Sequence, residues 1–511
     1  MIGLCALIAG GAAIYFTRPG TVTQSAKPNV LLISIDSLRA DRLGCHGNPH
    51  KPSPNIDAIA EVGVRFERCI AAAPWTLASH ASLLTGLFTH EHGVNEKLEA
   101  LDAATPLLPT LFASNGYATA AIVSGPFMSK PYGFDRGFDY YDDDIARMDE
   151  KQSHEAETSP RLAGKATQWL KRRVSEHREQ PFFLFLHMWD VHYHYHPPPP
   201  YDTKYDPDYR GKANGTFRPW HSDFGERLKP RDIQHIRALY DGELAFTDEH
   251  VGQVLNVVKE LGVADNTIVC ITGDHGDEFY EHGFGGHLRT LYNEVLHVPW
   301  IVAGPGVPKG RVVEGGVANA DILPTLTQLA GLSGGSTSLS GRSQTAVMSG
   351  TSQVVPRPIF GETMYQWMKP ASSQPGNEGQ LVCVELDGWK FIQRRSSPQF
   401  ERLFNLRTDP AETKTLVRDE PSRAAQLREL LDAHFNSAER FQPGIMKDKD
   451  VRDRVTQTGY LTGGESDGAA SRPVSEQPDG RTSGAGNGAK SPRGRGARGS
   501  NRAPTTRQAA P

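Results

Sequence analysis

The stretch NVLLISID at residues 29–36 decides the fold of this 511-residue chain. It is a short apolar run, rich in β-branched residues, that ends in an acid, and such a run is typical of a buried parallel strand. Comparable runs lie at residues 117–123, 181–187, 267–272 and 298–303, with helical patterns between them. Strands that alternate with helices predict an α/β fold whose mainly parallel central sheet is sandwiched by helices.

The helical patterns cover residues 54–64, 105–116, 166–178 and 232–261. We expect Gly242 and Gly252 to interrupt the last of these, because glycine is unfavourable inside a helix. From residue 357 the pattern changes to short strands at 358–362, 379–385 and 389–393, followed by a helix at 421–435. This region predicts a small C-terminal antiparallel α+β subdomain.

Composition excludes some classes of function. The net charge is −4, and the tail from residue 463 is basic and rich in Gly, Ser, Arg and Pro, so the body of the chain is more acidic than the total. A mildly acidic body argues against nucleic acid as a specific partner. The five cysteines are widely spaced and predict neither a zinc site nor a disulfide framework. The tail cannot bury enough apolar surface to order itself.

The N-terminus carries a hydrophobic segment. Residues 2–16 are nearly all apolar, and Arg18 follows them. This run is shorter than the ~20 residues that span a bilayer, so it fits a short single anchor or a signal segment. A core helix is the alternative, but a polar linker at residues 17–27 follows the run. We therefore expect an extracytoplasmic protein, periplasmic or at the cell surface, either membrane-anchored or secreted.

Acids and a histidine follow two of the predicted strands. Asp36 ends the first strand, and Asp274 and His275 follow the strand at 267–272. Because the carboxyl ends of parallel strands meet at one edge of a sheet, these side chains are expected to come together. Their mixed oxygen and nitrogen atoms suit one divalent ion, either Mn²⁺, Zn²⁺ or Ca²⁺. Such an ion would lower the pKa of a nearby hydroxyl, and Thr76 is the candidate.

Several separate segments, in order along the chain, resemble the sulfatase family, within the alkaline phosphatase superfamily. They are DSLRAD at 36–41, WTLASHASLLTG at 75–86, HMWDVH at 187–192, GDHGDE at 273–278 with EHG at 281–283, LYNEVLHVP at 291–299, and DILPTL at 321–326 with LFNLRTDPAE at 403–412. The resemblance implies an alkaline phosphatase-like fold and a metal-dependent ester hydrolase. Together with the composition of the two ends, it divides the chain into a signal or anchor segment with linker (1–27), a catalytic domain (28–350), the C-terminal subdomain (351–440) and a disordered tail (441–511).

The resemblance also places the nucleophile. When LLTG at 83–86 is aligned with the family, Thr76 occupies the position of the Cys or Ser that sulfatases oxidise to formylglycine. Ala78 replaces the family's proline, His80 replaces its arginine, and Ser37 stands where a second acid is usual. Threonine cannot become the formylglycine aldehyde, so a sulfated threonine would have no internal route of release. A phosphorylated threonine can be released by water.

Further site residues follow from the same comparison. His192 is expected to contact the ester oxygens or protonate the leaving group. His287 is expected to be a second contact, and Arg289 is the alternative for the basic residue that the family has in this region. His80 is expected to orient either Thr76 or the group that is transferred. Two alternatives stay open from the residues alone: Thr76 could be only a helix N-cap, and Ser79 could be the nucleophile if the alignment slips.

Three functions remain compatible with the sequence. The first is a hydrolase of phosphate mono- or diesters that acts through Thr76, with transfer to an acceptor alcohol as a variant. The second is a sulfuric ester hydrolase acting on a sulfated glycan or an aryl sulfate. The third is a protein without catalysis that binds sulfated or phosphorylated glycans. In each case the partner is a small-molecule or glycan ester, and the sequence does not give an oligomeric state.

Overall fold

The computed structural model describes residues 27–147, 157–216, 228–333, 339–364, 380–437 and 441–457. The expected N-terminal anchor and the basic tail from residue 463 lie outside these residues. The prediction that disorder begins at residue 441 was wrong, because Gly444–Ile445 form a strand and Lys449–Gln457 form a helix, and Met446 and Val451 are buried. Among the described residues, no helix has both the length and the apolar character needed to cross a bilayer.

The centre of the fold is an eight-stranded sheet. In chain order its strands are β1 (Asn29–Ile35), β2 (Val64–Ile70), β4 (Ala118–Ile122), β5 (Tyr140–Asp142), β6 (Phe182–Met188), β7 (Thr267–Gly273), β10 (His297–Ala303) and β11 (Arg311–Ala318). Their spatial order across the sheet is β11-β2-β10-β7-β1-β6-β4-β5. β10 runs antiparallel to β7 and β2, and the remaining pairs are parallel. The prediction of a mainly parallel sheet is confirmed.

Helices cover both faces of this sheet. The α-helices are α1 (Pro54–Val62), α2 (Thr76–Thr85), α3 (Thr89–His92), α4 (Leu108–Ser114), α5 (Ser159–His177), α6 (Pro230–Glu260), α7 (Asn293–Leu296), α8 (Ile322–Leu329), α9 (Thr345–Met348), α10 (Pro421–Phe435) and α11 (Lys449–Gln457). The 3₁₀ helices are Ala40–Arg42, Gly44–His46, Pro126–Met128, Lys130–Tyr132, Ala264–Asn266 and Asn319–Asp321. Helices α1, α5 and α6 pack on one face of the sheet, and α2, α4 and α8 pack on the other.

The expected break in the long helix was wrong. α6 continues through both glycines. A Cβ at Gly242 would lie 2.6 Å from the carbonyl oxygen of Tyr201, and one at Gly252 would lie 2.6 Å from the side chain of Asn55. The glycines therefore allow neighbouring segments to approach the helix closely, and tertiary packing outweighs their low helix propensity.

A second, four-stranded antiparallel sheet forms the C-terminal part. Its order is β12-β13-β14-β15, comprising β12 (Ile359–Thr363), β13 (Leu381–Leu386), β14 (Trp389–Arg394) and β15 (Ser397–Asn405). α10 packs against it through a separate apolar cluster. The predicted antiparallel subdomain is confirmed, with β15 as a strand that the sequence pattern missed. Two short pairs, β3 (Glu99–Ala100) with β16 (Gly444–Ile445) and β8 (Glu278–Phe279) with β9 (Gly285–Gly286), complete the strands of the described residues.

Candidate active site

Three adjacent strands supply the floor of the site. β1 lies between β7 and β6, and in register Ile35 pairs with Gly273 on one side and Met188 on the other. The residues that follow or end these strands are therefore neighbours. Asp36, Asp274 and His187 are all fully buried, as expected where the carboxyl ends of parallel strands meet.

Thr76 is the first residue of α2. Trp75, the residue before it, is in an extended conformation, and all ten helix residues are buried. The Thr76 hydroxyl donates to Asp36 Oδ2 at 3.3 Å and lies 3.4 Å from His275 Nε2. It does not cap its own helix, so the interpretation of Thr76 as only an N-cap was wrong.

Ser79 lies one turn further along α2 but points elsewhere. Its hydroxyl donates to the carbonyl oxygen of Asp274 at 2.5 Å and accepts from Asn319 Nδ2 at 3.0 Å. Both interactions hold it in the wall behind the site. Of the two hydroxyls in question, only that of Thr76 contacts the side chains of the predicted metal ligands.

His80 is buried beneath Thr76. Its Nδ1 lies 2.9 Å from the backbone oxygen of Thr76, and its Nε2 lies 3.0 Å from Ser34 Oγ. Because a carbonyl oxygen only accepts, Nδ1 carries the proton and Nε2 accepts from the serine. Burial, followed by the nearby His187, lowers the pKa of His80 well below its usual value. A neutral His80 thus holds the first turn of α2 in place.

The remaining predicted histidines form a chain of ring contacts that starts at His275. The rings of His275 and His287 are 4.3 Å apart, and those of His287 and His192 are 5.0 Å apart. His287 Nδ1 lies 2.6 Å from Asp277 Oδ1. His192 Nδ1 lies 2.6 Å from the backbone oxygen of Tyr193, and its ring stacks on Trp189. The structure therefore brings together every predicted site residue.

Three further basic residues, His194, His196 and Arg289, lie close in sequence to His192 and His287. His194 is partly buried and His196 is exposed; the two rings stack on each other, and His196 contacts Thr216. Arg289 is partly buried and close enough to Tyr280 to oppose the rise that burial causes in the pKa of that phenol.

One family model, described as Sulfatase, matches residues 28–332, which is more than half of the chain. The chain belongs to the sulfatase family. A second model, described as N-sulphoglucosamine sulphohydrolase, C-terminal, matches residues 280–439. The relatives are ester hydrolases, and the chain is an ester hydrolase of this family.

Similar sulfatases span most of the chain. An N-acetylglucosamine-6-O-sulfatase of Bacteroides thetaiotaomicron is 24% identical over 388 residues, covering 60% of this chain and 69% of the relative. An arylsulfatase of Clostridium perfringens is 25% identical over 475 residues, covering 79% and 94%.

Solved structures share the sulfatase fold. One, described as a complex with its substrate D-glucosamine-2-N,6-O-disulfate, has a TM-score of 0.66 at 19% identity and covers 84% of this chain and 99% of its own. The phosphonate monoester hydrolase of Agrobacterium radiobacter has a TM-score of 0.63 at 22% identity and covers 80% and 95%. At these identities the likeness concerns the fold alone.

Sulfatases use a divalent metal ion, and the side chains of this site fit one. Ligand atoms of Asp36, Asp274 and His275 all lie within 4.8 Å of one another. Thr76 Oγ1 lies 3.3 Å from Asp36 Oδ2 and 3.4 Å from His275 Nε2, and His275 Nε2 lies 3.4 Å from Asp274 Oδ2. These oxygen and nitrogen atoms could therefore hold one divalent ion.

The charges at the site also favour the binding of a cation. Burial and the charge of Asp36 raise the pKa of Asp274 well above its usual range. Burial opposes ionisation of Asp36 too, but contacts with His187, His192 and His275 hold its pKa well below the usual range. Asp274 Oδ2 is buried without a hydrogen-bond partner. Two facing buried carboxyl groups with an open oxygen are a suitable pair of ligands for a dication.

Sequence reasoning missed two supporting residues. Asn319 donates to Ser79, and Ser34 binds His80. Both are polar residues buried at 0% exposure, and Ser34, inside an otherwise apolar strand, was the available signal. The sequence also carried no separate signal for the buried His187, because it ends a run that is typical of a plain buried strand.

Proposed function

We propose that the protein hydrolyses a phosphate mono- or diester, with Thr76 as nucleophile and Asp36, Asp274, His275 and Thr76 as the ligands of one divalent ion. The observation that carries the proposal is the position of the Thr76 hydroxyl, which faces Asp36 and His275 from the first turn of α2. When bound, the ion would lower the pKa of the hydroxyl and offset negative charge on the ester.

The identity of the nucleophile favours phosphate over sulfate. A sulfatase frees sulfate from formylglycine through the second hydroxyl of the hydrated aldehyde. The Cβ of Thr76 carries a methyl group, so its oxidation would give a ketone and not that aldehyde. A phosphothreonine needs no second hydroxyl, because water can attack phosphorus in line and break the bond to Oγ1.

The side chains of this site supply the other parts of the reaction. Thr76 Oγ1 forms a bond to phosphorus while the ester P–O bond breaks. The bound ion would lower the pKa of the Thr76 hydroxyl, so its proton would be released to water before the attack. The unpaired N–H groups of the first turn of α2 face negative charge favourably. His192 donates Nδ1–H to Tyr193, so its Nε2, when protonated, can give a proton to the leaving alcohol.

A water molecule, or an acceptor alcohol in the transfer variant, then attacks the phosphothreonine. The bond between phosphorus and Thr76 Oγ1 breaks, and the hydroxyl recovers its proton. His192, now neutral, can accept a proton from the attacking group. His287, held by Asp277, lies between His192 and His275 and is the second contact for the ester oxygens.

A sulfuric ester hydrolase is the second candidate, and the names of the relatives favour it. The structure described with D-glucosamine-2-N,6-O-disulfate and the N-acetylglucosamine-6-O-sulfatase suggest a sulfated glycan as substrate. This function would require Thr76 to act unmodified or Ser79 to be converted, and the Ser79 hydroxyl is bonded to the backbone of Asp274. A glycan-binding protein without catalysis is the third candidate.

The wider setting also belongs to this proposal. We infer a small-molecule or glycan ester as substrate, no specific nucleic acid partner, and an extracytoplasmic location with either secretion or a single N-terminal anchor. We keep residues 28–350 as the catalytic domain and 351–440 as the subdomain. The span of the sulfatase model, residues 28–332, supports the first of these boundaries.

One assay separates the three functions. Purified protein is supplied with Zn²⁺, Mn²⁺ or Ca²⁺ and offered an aryl phosphate, a bis-aryl phosphate and an aryl sulfate. We expect turnover of a phosphate ester that is lost in Thr76→Ala and kept in Ser79→Ala. Turnover of the sulfate alone, surviving in Thr76→Ala, would contradict the proposal. Binding of sulfated glycans without any turnover would favour the third candidate.

A further inference from the structure

His187 is oriented like a metal ligand although it lies within a hydrophobic strand. Its Nδ1 is 2.7 Å from the backbone oxygen of Ser124, and the Ser124 hydroxyl donates to the backbone oxygen of His187 at 3.0 Å. The carbonyl can only accept, so Nδ1 carries the proton, and in the neutral ring Nε2 presents a lone pair. Histidine ligands of metals are commonly fixed in this way, with the distal N–H bonded to a carbonyl or a carboxylate.

The lone pair of His187 faces another acceptor. His187 Nε2 is buried without a hydrogen-bond partner and lies 3.4 Å from Asp36 Oδ2. Both side chains are fully buried. Two acceptors held together away from water repel each other unless a proton or a cation lies between them. A proton would serve only His187 and Asp36, whereas a cation would also serve the neighbouring Asp274.

The surrounding side chains favour the cation. Ligand atoms of His80, His187 and Asp274 lie within 4.8 Å of one another. His80 has both ring nitrogens engaged, by Thr76 and Ser34. The open atoms of this cluster are therefore His187 Nε2 and Asp274 Oδ2.

Ser37 provides a reason for a histidine ligand. It stands at the position where the family usually has an acid, and its hydroxyl donates to Asp36 Oδ1 at 3.0 Å. Its backbone N–H donates to Asp274 Oδ1 at 3.1 Å. Ser37 thus orients the two carboxylates, and the site has one anionic ligand fewer. A neutral imidazole can take the place of the missing acid as a ligand without restoring its negative charge.

We propose that His187 Nε2 binds the same ion as Asp36, Asp274 and His275, which makes this a site for Zn²⁺ and not for Ca²⁺. The inference rests on the metal dependence in the proposed function but not on the choice of phosphate over sulfate. Two carboxylates and two neutral imidazoles balance one dication, and imidazole selects Zn²⁺ over the hard ion Ca²⁺. A neutral imidazole in place of a third carboxylate leaves more of the ion's charge to act on the Thr76 hydroxyl.

The first test measures metal affinity without turnover. Metal-free protein is titrated with Zn²⁺ against a competing chelator, and separately with Ca²⁺, for the wild type, His187→Ala and the control His194→Ala. We expect tighter binding of Zn²⁺ than of Ca²⁺, a loss of at least about 10-fold in Zn²⁺ affinity in His187→Ala, and no change in His194→Ala. Equal Zn²⁺ affinity in the wild type and a folded His187→Ala would overturn the inference.

The second test needs no variant and so does not depend on the folding of His187→Ala. Co²⁺ replaces Zn²⁺ in the wild type, and proton NMR records the exchangeable imidazole N–H signals that the paramagnetic ion shifts. The inference expects a shifted signal from the Nδ1–H of His187 as well as one from His275, beside a signal from the nearby His80, whose Nδ1 lies 3.5 Å from Asp274 Oδ2. A spectrum in which no shifted signal is assigned to His187 would overturn it. Neither test uses a substrate, so a failure of phosphate ester turnover would leave both results interpretable.

Discussion

The hydroxyl of Thr76 donates to Asp36 Oδ2 across 3.3 Å, although the two residues are 40 positions apart in the chain. The contact joins the first turn of α2 to the end of β1, and both elements are buried. Their packing therefore fixes where the alcohol lies before any substrate binds. Preorganisation of this kind is a major source of catalytic rate, because the reacting groups need not be ordered during the reaction.

Variants of Thr76 and Ser79 should show which of the two hydroxyls is the nucleophile. We expect Thr76→Ala to lower kcat for an aryl phosphate by at least about 10³-fold, and Thr76→Ser to keep part of the activity because it keeps the alcohol. Ser79→Ala, the matched control, removes the bonds to Asp274 and Asn319 and should mainly lower stability. Steady-state kinetics and thermal unfolding of the three variants test this. Loss of turnover in Ser79→Ala with normal turnover in Thr76→Ala would reverse the assignment.

Replacement of His80 should lower kcat indirectly, because His80 positions Thr76. Its Nδ1–H holds the Thr76 carbonyl, so His80→Ala frees the first turn of α2. A misplacement of about 1 Å can cost about 10²-fold in rate, and we expect a loss of that order in kcat with little change in KM. His80→Asn, which can still donate to the carbonyl, should recover part of it. An equal loss in both variants would indicate direct contact of the imidazole with substrate.

The C-terminal sheet should depend on a buried ion pair. Lys390 Nζ on β14 lies 2.9 Å from Glu412 Oε1, with both side chains at or below 1% exposure, and Glu412 Oε2 accepts from the backbone N–H of Asn293. Lys390→Met alone leaves a buried carboxylate and should cost about 3–5 kcal/mol in the free energy of unfolding. We expect Lys390→Met combined with Glu412→Gln to recover most of this in urea unfolding. Additive losses would show that the two charges do not interact.

Buried neutral histidines should make the protein less stable in acid. Burial lowers the pKa of His92 to about 3, and Val94 N–H donates to its Nδ1. In the unfolded chain histidine titrates near 6.5, so between about pH 6.5 and pH 3 the unfolded state binds a proton that the folded state does not. Stability contributed by this group is complete above about pH 6.5 and falls by about 1.4 kcal/mol per pH unit below it.

The comparison of wild type with His92→Asn isolates this effect. The variant is expected to be less stable at neutral pH, because asparagine fills less of the site, but its stability should fall less steeply in acid. Urea unfolding midpoints at several values between about pH 6.5 and pH 4.5 measure both slopes. Parallel slopes would mean that His92 is not the group responsible.

The sequence predicted which residues form the site, but it did not predict how their side chains are oriented. Asp36 and Asp274 end apolar runs, so their meeting at one sheet edge follows from the parallel arrangement. Thr76 and Ser79 both carry hydroxyls near the start of one helix, and only packing decides which of them faces the carboxylates. Gly242 shows the same limit, because its place inside α6 depends on a Tyr201 carbonyl that is distant in sequence. Local sequence patterns indicate burial and periodicity, but they do not indicate which distant residue packs against a given position.

The most direct test of the central claim is the chemical state of Thr76 during turnover. Protein acting on an aryl phosphate is quenched in acid, digested, and the peptide containing residues 75–86 is sequenced by tandem mass spectrometry. We predict phosphate on Thr76 and an unmodified Ser79. An unmodified Thr76 beside an aldehyde or a phosphate at Ser79 would contradict the mechanism.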